Sequence, residues 1–282
     1  MASAQDLPYL IQLLDDDDPE VQKAVCSGLK TMGGDISENL AAQGISLSKY
    51  KQRKVSQLLR GGRREELMEA WLTPSNGFSS LDHDWESLEH YLRLISDFLH
   101  DGITLRASLT DQLDILADEL REELLIPSEQ GVYDWMFGEG KFENREKAKA
   151  IDYDLCHVIE SSIGSSASLA MVAMLLANRL GLSMSTVFHK EYFLLRYGIG
   201  EDAVLALPAP DSRKISLSEI SMMKPALTKE FVERIHREMH LGDMLSQFLQ
   251  VLTGCLQKEK RQEDVKLCHR LMASLTVSSP NS

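Results

Sequence analysis

The sequence predicts an α+β protein that is predominantly helical and contains one small antiparallel sheet. Proline is scarce, with 8 residues among 282, whereas Leu, Ala, Glu, Lys and Met recur throughout, a composition that favours helices. Apolar residues repeat at helical spacing over most of the chain. Only residues 184–207 contain the short β-branched and aromatic runs that are typical of strands. A chain of this length can form two or three small cores.

The charge of the chain argues against one broad class of function. The formal net charge is −13 and the sequence pI is about 5.1. General nucleic-acid binding needs a basic surface that neutralises phosphates, so this acidic balance makes it unfavourable. The basic run Lys49–Arg64 is a local exception.

We expect a cytoplasmic protein without a membrane anchor. The most apolar run, Leu169–Ala177, is far shorter than the roughly 20 residues that cross a bilayer. The first residues, MASAQDLPYL, lack the basic and apolar regions of a signal peptide. The four cysteines are widely spaced without a CxxC pair, so we expect free thiols in a reducing compartment: Cys26, Cys156, Cys255 and Cys268.

Residues 1–125 are predicted to form a helical N-terminal region that begins with a single HEAT-like helix pair. An apolar stripe from Leu7 to Leu14 predicts the first helix. Asp18 can cap the second helix, with Pro19 at its first position, and Gly33-Gly34 ends it. No second copy follows at a fixed period. Because a solenoid needs about three such units, we do not expect an extended repeat array.

A basic run and a helical hairpin complete the N-terminal region. The run from Lys49 to Arg64 contains seven cations and no acid. Gly61-Gly62 within it is interpreted as a linker, since no GxxxxGK[ST] phosphate loop surrounds it. Apolar residues then repeat at helical spacing over 85–99 and 105–124. These two helices are expected to pack antiparallel.

Residues 126–222 are predicted to form a core domain and residues 223–282 a helical tail. The core is expected to contain a helix over Lys147–Ser161 and a very apolar one over Leu169–Leu180. Three strand-like runs follow: Met184–Phe188, Tyr192–Tyr197 and Ala203–Leu207. The tail is predicted to contain three helices before a disordered end: Leu227–Met239, Asp243–Gln257 and Glu263–Leu275.

Four segments between Gln112 and Ser218 have a distinctive order and spacing. They are QLDILADELREEL (112–124), MFGEGKFENR (136–145), LCHVIESSIGSSASLAMVAMLLANRLGL (155–182) and VFHKEYFLLR (187–196). Together they resemble the transglutaminase-like superfamily, and more specifically its bacterial SirB-type branch. The helical tail also resembles that branch, which often ends in TPR-like helices. The resemblance implies a papain/transglutaminase-like core with a small antiparallel sheet.

The same resemblance implies a degenerate catalytic site. In active members of the superfamily, a Cys at the N-terminus of the buried helix attacks an amide or thioester carbonyl. A His on the next strand activates this Cys, and an Asp on the strand after that orients the His. The Cys position aligns with Ser166, where the SirB-type branch itself already lacks the thiol. The His position aligns with Tyr192, and the Asp position aligns with Leu207, ahead of Pro208.

Elementary chemistry leads to the same expectation of no catalytic residue. A serine without a neighbouring base has an un-ionised hydroxyl at neutral pH, and loss of an intact triad lowers the rate by roughly 10⁴–10⁶. Leu207 cannot orient a base by hydrogen bonding. His189 lies three residues before Tyr192, and alternation along one strand would point it to the opposite face. Only a bulge or a register slip would bring it back.

Other candidate sites are weaker. Cys156 and His157 are neighbours in sequence, but adjacent residues of a helix point about 100° apart, so core packing is expected for Cys156. His236 and His240 have a spacing that can bind a metal from one helix face, yet their segment, HREMH, lacks a third ligand. We therefore expect no metal and no cofactor.

Three functions are considered. The first is a non-catalytic interaction or regulatory protein that binds protein partners through its helical regions and is not an enzyme. The second is a residual hydrolase or acyl transferase that uses Ser166 or an unaligned thiol. The third is a nucleic-acid-associated factor that binds through Lys49–Arg64. The first is favoured, because Ser166, Tyr192 and Leu207 do not form a triad and the flanking helices resemble HEAT and TPR units.

Overall fold

The computed structural model describes residues 4–72, 81–189, 191–222, 231, 233, 235 and 239–276. These residues are mainly helical and include a four-stranded antiparallel sheet, which confirms the predicted fold class. The chain divides into two compact units. The first comprises residues 1–72 and 94–107, and the second comprises residues 73–93 and 108–282. The domain boundaries expected after residues 125 and 222 stay a prediction.

The described part of the first unit is helical. Its elements are α1 Leu7–Gln12, α2 Pro19–Lys30, α3 Ser37–Ala42, α4 Lys49–Ala70 and, from residue 94 onward, α5 Trp85–Leu99. The predicted cap of α2 is confirmed, because the Asp18 carboxylate accepts the N–H of Glu20 at 2.8 Å. The first four helices bury a shared apolar core that includes Leu7, Leu14, Leu29, Leu40 and Leu59.

The interpretation of Gly61-Gly62 as a linker is wrong, because both residues lie inside α4. A Cβ atom on Gly62 would lie 2.6 Å from the carbonyl carbon and oxygen of Gly33. Gly33 has a φ of +94°, a backbone conformation that favours glycine. The turn after α2 therefore packs directly on the backbone of α4. This contact offsets the low helix propensity of glycine, which is why sequence propensity alone was misleading.

Arg63, within the basic run, is a buried structural cation rather than a surface charge. It is 5% exposed. Its guanidinium donates to three backbone oxygens, those of Ser56 at 3.1 Å, Gly34 at 3.2 Å and Asp101 at 2.9 Å. Charge-assisted hydrogen bonds of this kind compensate the desolvation of the guanidinium. Arg63 thus ties the segments around residues 34 and 101 to α4.

Two lysines of the basic run bind the end of the first helical segment. Lys51 donates to the carbonyl oxygen of Ile11 at 2.9 Å, and Lys54 donates to that of Leu14 at 2.6 Å. Their ammonium groups also lie 3.3 and 3.8 Å from the Asp15 carboxylate. Carbonyls at a helix C-terminus lack intrahelical partners, and cations nearby satisfy them. These two lysines therefore stabilise the fold of their own unit.

The second unit contains the remaining helices and the sheet. Its helices are α6 Leu109–Glu123, α7 Glu129–Tyr133, α8 Leu155–Ser161, α9 Ser166–Arg179, α10 Leu217–Met222, α11 Leu241–Lys258 and α12 Gln262–Thr276. Its strands are β1 Glu143–Asn144, β2 Ile163–Gly164, β3 Ser185–His189, β4 Tyr192–Tyr197, β5 Val204–Ala206 and β6 Ile215–Ser216.

Helix α9 is the centre of this unit. Every residue from Ser166 to Ala177 is buried, as the apolar run predicted. Strands β3 to β6 form an antiparallel sheet in sequential order, and β4 packs against α9. Strands β1 and β2 form a separate parallel pair, and β2 lies immediately before α9 in the chain.

The predicted helix over Lys147–Ser161 is shorter in the structure. Residues Ala150–Tyr153 form a 3₁₀ turn, and α8 starts only at Leu155. The carboxylate of Asp152 accepts the N–H of Lys149, and that of Asp154 accepts the N–H groups of Cys156 and His157. Aspartate side chains compete with helical backbone bonds in this way, so two closely spaced aspartates break one helix into a turn and a capped helix.

The last two predicted tail helices are present as α11 and α12, which pack against each other. The first, over Leu227–Met239, falls mostly outside the described residues, as do residues 277–282. Among the residues that the structure describes, no helix is both long and apolar enough to cross a membrane.

Alanine substitutions at Gly61 and Gly62 are expected to change the free energy of unfolding in opposite directions. Gly61→Ala places its methyl group where no described atom outside the neighbouring backbone of α4 lies within 4 Å, so it should stabilise the first unit by about 0.5–1 kcal/mol. Gly62→Ala forces a Cβ against the Gly33 carbonyl and should destabilise it by about 1–3 kcal/mol. Hydrogen exchange of the α2 and α4 amides measures both changes. Equal effects would contradict the close packing of the turn on α4.

Candidate functional site

The first turn of α9 is held by the backbone oxygen of Asp152. This oxygen accepts the N–H of Ser165 at 3.2 Å and also the hydroxyl of Ser168. Ser165 is the N-cap of α9, and its hydroxyl oxygen accepts the N–H of Ser168 at 3.1 Å. All three residues are buried, so the network fixes the direction in which the helix begins.

An ion pair between a buried carboxylate and a partly exposed guanidinium lies beside this network. The Asp152 side chain is fully buried, and one of its oxygens lies 3.2 Å from the guanidinium of Arg145. Arg145 directly follows β1, and its N–H continues the β1–β2 pairing by donating to the carbonyl of Gly164 at 2.8 Å. Arg145 is the last residue of the MFGEGKFENR segment, but no sequence pattern predicts its pairing with Asp152.

Ser166 and Tyr192, two of the three aligned positions, line one cleft of about 630 Å³. Ser166 is the first residue of α9 and is 7% exposed. Its hydroxyl oxygen accepts the N–H of Phe193 at 3.4 Å, which ties the helix to β4. Tyr192 is the first residue of β4 and is 47% exposed. The structure therefore brings together the positions that align with the catalytic Cys and His.

The rest of the cleft wall comes from three places. The segment after β1 contributes Asn144 to Ala148, and the end of the β3–β4 hairpin contributes Phe188 and Glu191. The C-terminal half of α11 contributes the remaining wall, including Gly254 and Cys255.

Leu207 does not line this cleft in the described part of the chain. It follows directly after β5. Its carbonyl oxygen accepts the hydroxyl of Tyr133 at 2.8 Å, and its N–H donates to the hydroxyl oxygen of Ser212 at 3.1 Å. The position that aligns with the catalytic Asp thus forms backbone contacts that hold the strand end.

The expectation that His189 and Tyr192 point to opposite faces is wrong. Alternation along one strand does not apply here, because β3 and β4 form a hairpin in which His189 and Tyr192 are direct cross-strand partners. Opposed residues of an antiparallel pair project to the same face. The His189 ring contacts the Phe231 ring edge-on, with a centroid distance of 4.5 Å.

Comparison with known families agrees with this geometry. Residues 107–250 match the family model described as the transglutaminase-like superfamily. The chain belongs to the transglutaminase-like superfamily. The match begins just before α6, includes α9 and the sheet, and ends within α11. No curated protein and no solved structure shows a significant match to the chain.

One further reactive group of the cleft, the thiol of Cys255, lies beyond the residues that match the superfamily. Cys255, on α11, is 6% exposed, and its thiol donates to the carbonyl oxygen of Ala148 at 3.3 Å. Burial, with Glu259 and Asp152 nearby, raises the pKa of the Cys255 thiol to about 11. At pH 7 only about one thiol in 10⁴ is then ionised, so Cys255 is a poor nucleophile. No sequence motif marks this residue, because its position in the cleft results from tertiary packing.

Tyr153 lines the same cleft. Burial raises the pKa of its hydroxyl, and the nearby Cys255 and carboxylates act in the same direction. The phenol is therefore protonated at neutral pH and available as a hydrogen-bond donor.

The other candidate positions do not assemble a site. Cys156 is 1% exposed, within the core of the second unit. His240 precedes α11 and lies 3.0 Å from the Asp82 carboxylate, whereas His236 lies outside the described residues. Within the described residues, no group of three or more His, Cys, Asp or Glu side chains could hold a metal ion.

Cys255 is expected to react slowly with iodoacetamide. With its pKa near 11, the thiolate fraction at pH 8 is about two orders of magnitude below that of an ordinary cysteine. Its alkylation rate should rise steeply up to about pH 11. Peptide mass spectrometry after timed labelling measures the rate, with the less buried Cys26 as the internal control. If Cys255 is alkylated as fast as Cys26 at pH 7, it is an activated nucleophile and this interpretation is wrong.

Proposed function

We propose that this chain is a non-catalytic member of the transglutaminase-like superfamily that acts as a protein-interaction or regulatory module. The composition of the cleft at Ser166 carries the proposal. Tyr192 occupies the position that aligns with the catalytic His, and no histidine is found among the described residues that line the cleft. A serine hydroxyl needs a positioned base before it can act as a nucleophile. Leu207, in place of the Asp, has no group that could orient such a base.

We further propose that the chain is a cytoplasmic protein of the bacterial SirB-type branch, with a TPR-like tail. In support, α11 and α12 are two packed helices that are joined by a short turn over residues 259–261. Together they are about as long as one 34-residue TPR helix pair. Cys26, Cys156, Cys255 and Cys268 are free, as is usual in a reducing compartment. Helix pairs of this kind commonly bind protein partners.

Nucleic-acid binding through Lys49–Arg64 is less favoured. Lys51, Lys54 and Arg63 all bind carbonyl groups of their own unit, which reduces the charge that could neutralise phosphates. Neutralising those residues would also disturb the fold. A binding test should therefore use exposed cations such as Arg53.

The purified chain is expected to show no hydrolysis of amides or esters and no amine transfer. Its rates should equal those of Ser166→Ala, because neither protein has a positioned base to activate a hydroxyl. Activated esters and glutamine-containing peptides with a fluorescent amine are suitable probes, followed by mass spectrometry. Turnover that disappears in Ser166→Ala would show a residual enzyme and end the non-catalytic proposal. Glu191→Gln is a useful companion variant, since Glu191 is a carboxylate of the cleft that could replace the missing base.

Affinity capture with the full chain is expected to enrich a protein partner from the native cell. Cross-linking mass spectrometry should map the contacts to α1–α2, to α11–α12 or to the cleft, because these are the surfaces that the proposal assigns to binding. An unrelated acidic protein of similar size is the control bait. Absence of any enriched protein over that control would contradict the interaction role.

A further inference from the structure

The wall of the cleft at the N-terminus of α9 includes a residue without a side chain, Gly254. Gly254 lies in the interior of α11, where glycine is disfavoured, and it lines the cleft. Apart from the neighbouring backbone of α11 itself, no described atom lies within 4 Å of the place where its Cβ would be. By contrast, a Cβ on Gly164, which directly precedes the N-cap of α9, would lie 2.8 Å from the side chain of Val158. Glycine at 254 therefore has no packing reason among the described residues, and its main effect is to keep the cleft wide.

One end of the cleft is suited to a single negative charge. Helix α9 has 14 residues and begins at Ser166. The N–H groups of Ser166 and Ala167 have no acceptor within the helix, and the helix dipole adds partial positive charge there. The buried Ser166 hydroxyl accepts a long bond from Phe193, and its own hydrogen has no acceptor among the described residues. The Arg145 guanidinium also lines the cleft and is half-exposed, sharing its charge with Asp152.

The rim of the cleft carries charges of both signs. Lys147 and Lys258 line it as exposed cations, and Glu146 and Glu191 line it as exposed carboxylates. The carboxylates would attract a cationic group of a ligand. A ligand with an anionic end and a neutral or basic remainder can therefore pair with groups of both signs.

The remaining walls are suited to a peptide. Tyr153, Phe188 and Tyr192 provide aromatic surfaces, and the carboxamides of Asn144 and Gln250 can pair with peptide N–H and C=O groups. A volume of about 630 Å³ is within the usual range for a site that encloses a small ligand.

We propose that this cleft binds the C-terminal α-carboxylate of a short peptide segment, with the carboxylate at the start of α9 and a neutral or basic residue near Glu191. The source of the carboxylate is a free peptide or the chain end of a partner protein. This inference rests on the proposed function, since a catalytic site would cleave or cross-link such a peptide, whereas a binding site releases it unchanged.

The test uses the full chain and two tetrapeptide libraries, one with free C-termini and one with C-terminal amides. Affinity-selection mass spectrometry identifies the bound peptides, and fluorescence anisotropy of N-terminally labelled hits gives each Kd. Free-acid peptides should be enriched, and amidation should weaken their binding at least tenfold, because the amide removes the charge. Equal binding of both forms, or no binding of either, would overturn the proposal.

Substitutions of increasing side-chain size at Gly254 test whether the peptides bind in this cleft. Gly254→Ala, Gly254→Leu and Gly254→Phe extend side chains into open space, so affinity should fall with side-chain volume while Tm is retained. Gly61→Phe is the matched control, because Gly61 is a helix-interior glycine of the first unit whose Cβ position also has no described atom within 4 Å outside the neighbouring helix backbone. It should bind like the wild type. Unchanged affinity in Gly254→Leu and Gly254→Phe would place binding elsewhere and overturn the proposal.

Mass changes in the peptides test the non-catalytic function separately from the carboxylate-binding site. Peptides that are recovered intact support both the non-catalytic function and the binding site. Cleaved or cross-linked peptides would refute the non-catalytic function, while the preference for free acids over amides would still support the carboxylate site. The partner protein found by affinity capture then separates the two sources, because blocking its C-terminus should abolish capture only if it supplies the carboxylate.

Discussion

The hydrogen bonds to the carbonyl oxygen of Asp152 position α9, the central helix around which the second unit packs. This oxygen accepts both the Ser165 N–H and the Ser168 hydroxyl, and so it fixes the start of α9. Helix α9 is buried from Ser166 to Ala177, and the Ser165 hydroxyl oxygen caps it by accepting the N–H of Ser168. Strand β4 is then attached through the bond between Phe193 and Ser166. The cleft is what remains between this fixed helix start, the hairpin and α11.

The first unit depends on a comparable constraint, the approach of one backbone to another. The turn at Gly33 lies so close to α4 that position 62 has no space for a side chain. Arg63, one residue later, donates to the backbone oxygens of the segments that this approach brings together. A run of cations that resembles an anion-binding surface in the sequence is therefore partly internal structure. The chemical reason is that buried carbonyls need donors, and arginine and lysine supply them over a long reach.

Among the described residues, the cleft is lined by polar and charged groups but by no histidine. The helix N-terminus, the buried Ser166 hydroxyl and Arg145 form a region that favours negative charge, whereas the thiol of Cys255 is held protonated by burial. Binding requires only that such groups be fixed in place. Catalysis additionally requires a base whose pKa and position match a nucleophile. The proposed non-catalytic function follows from this difference, because Tyr192 and Leu207 stand at the positions that the resemblance aligns with the catalytic His and Asp.

The sequence alone determined the predominantly helical α+β class, the buried helix α9, the cap of α2 at Asp18 and the positions of β3, β4 and β5, because these follow from local periodicity, capping and β propensity. The two-residue strands β1, β2 and β6 lie outside residues 184–207 and were missed. It also placed Ser166 and Tyr192 in a common site through an ordered resemblance. Only the tertiary structure decided that Gly61-Gly62 is helical, that His189 pairs with Tyr192, and that Cys255 and Arg145 reach the cleft. Each of these depends on which distant segment packs against the residue, and no local pattern encodes that partner.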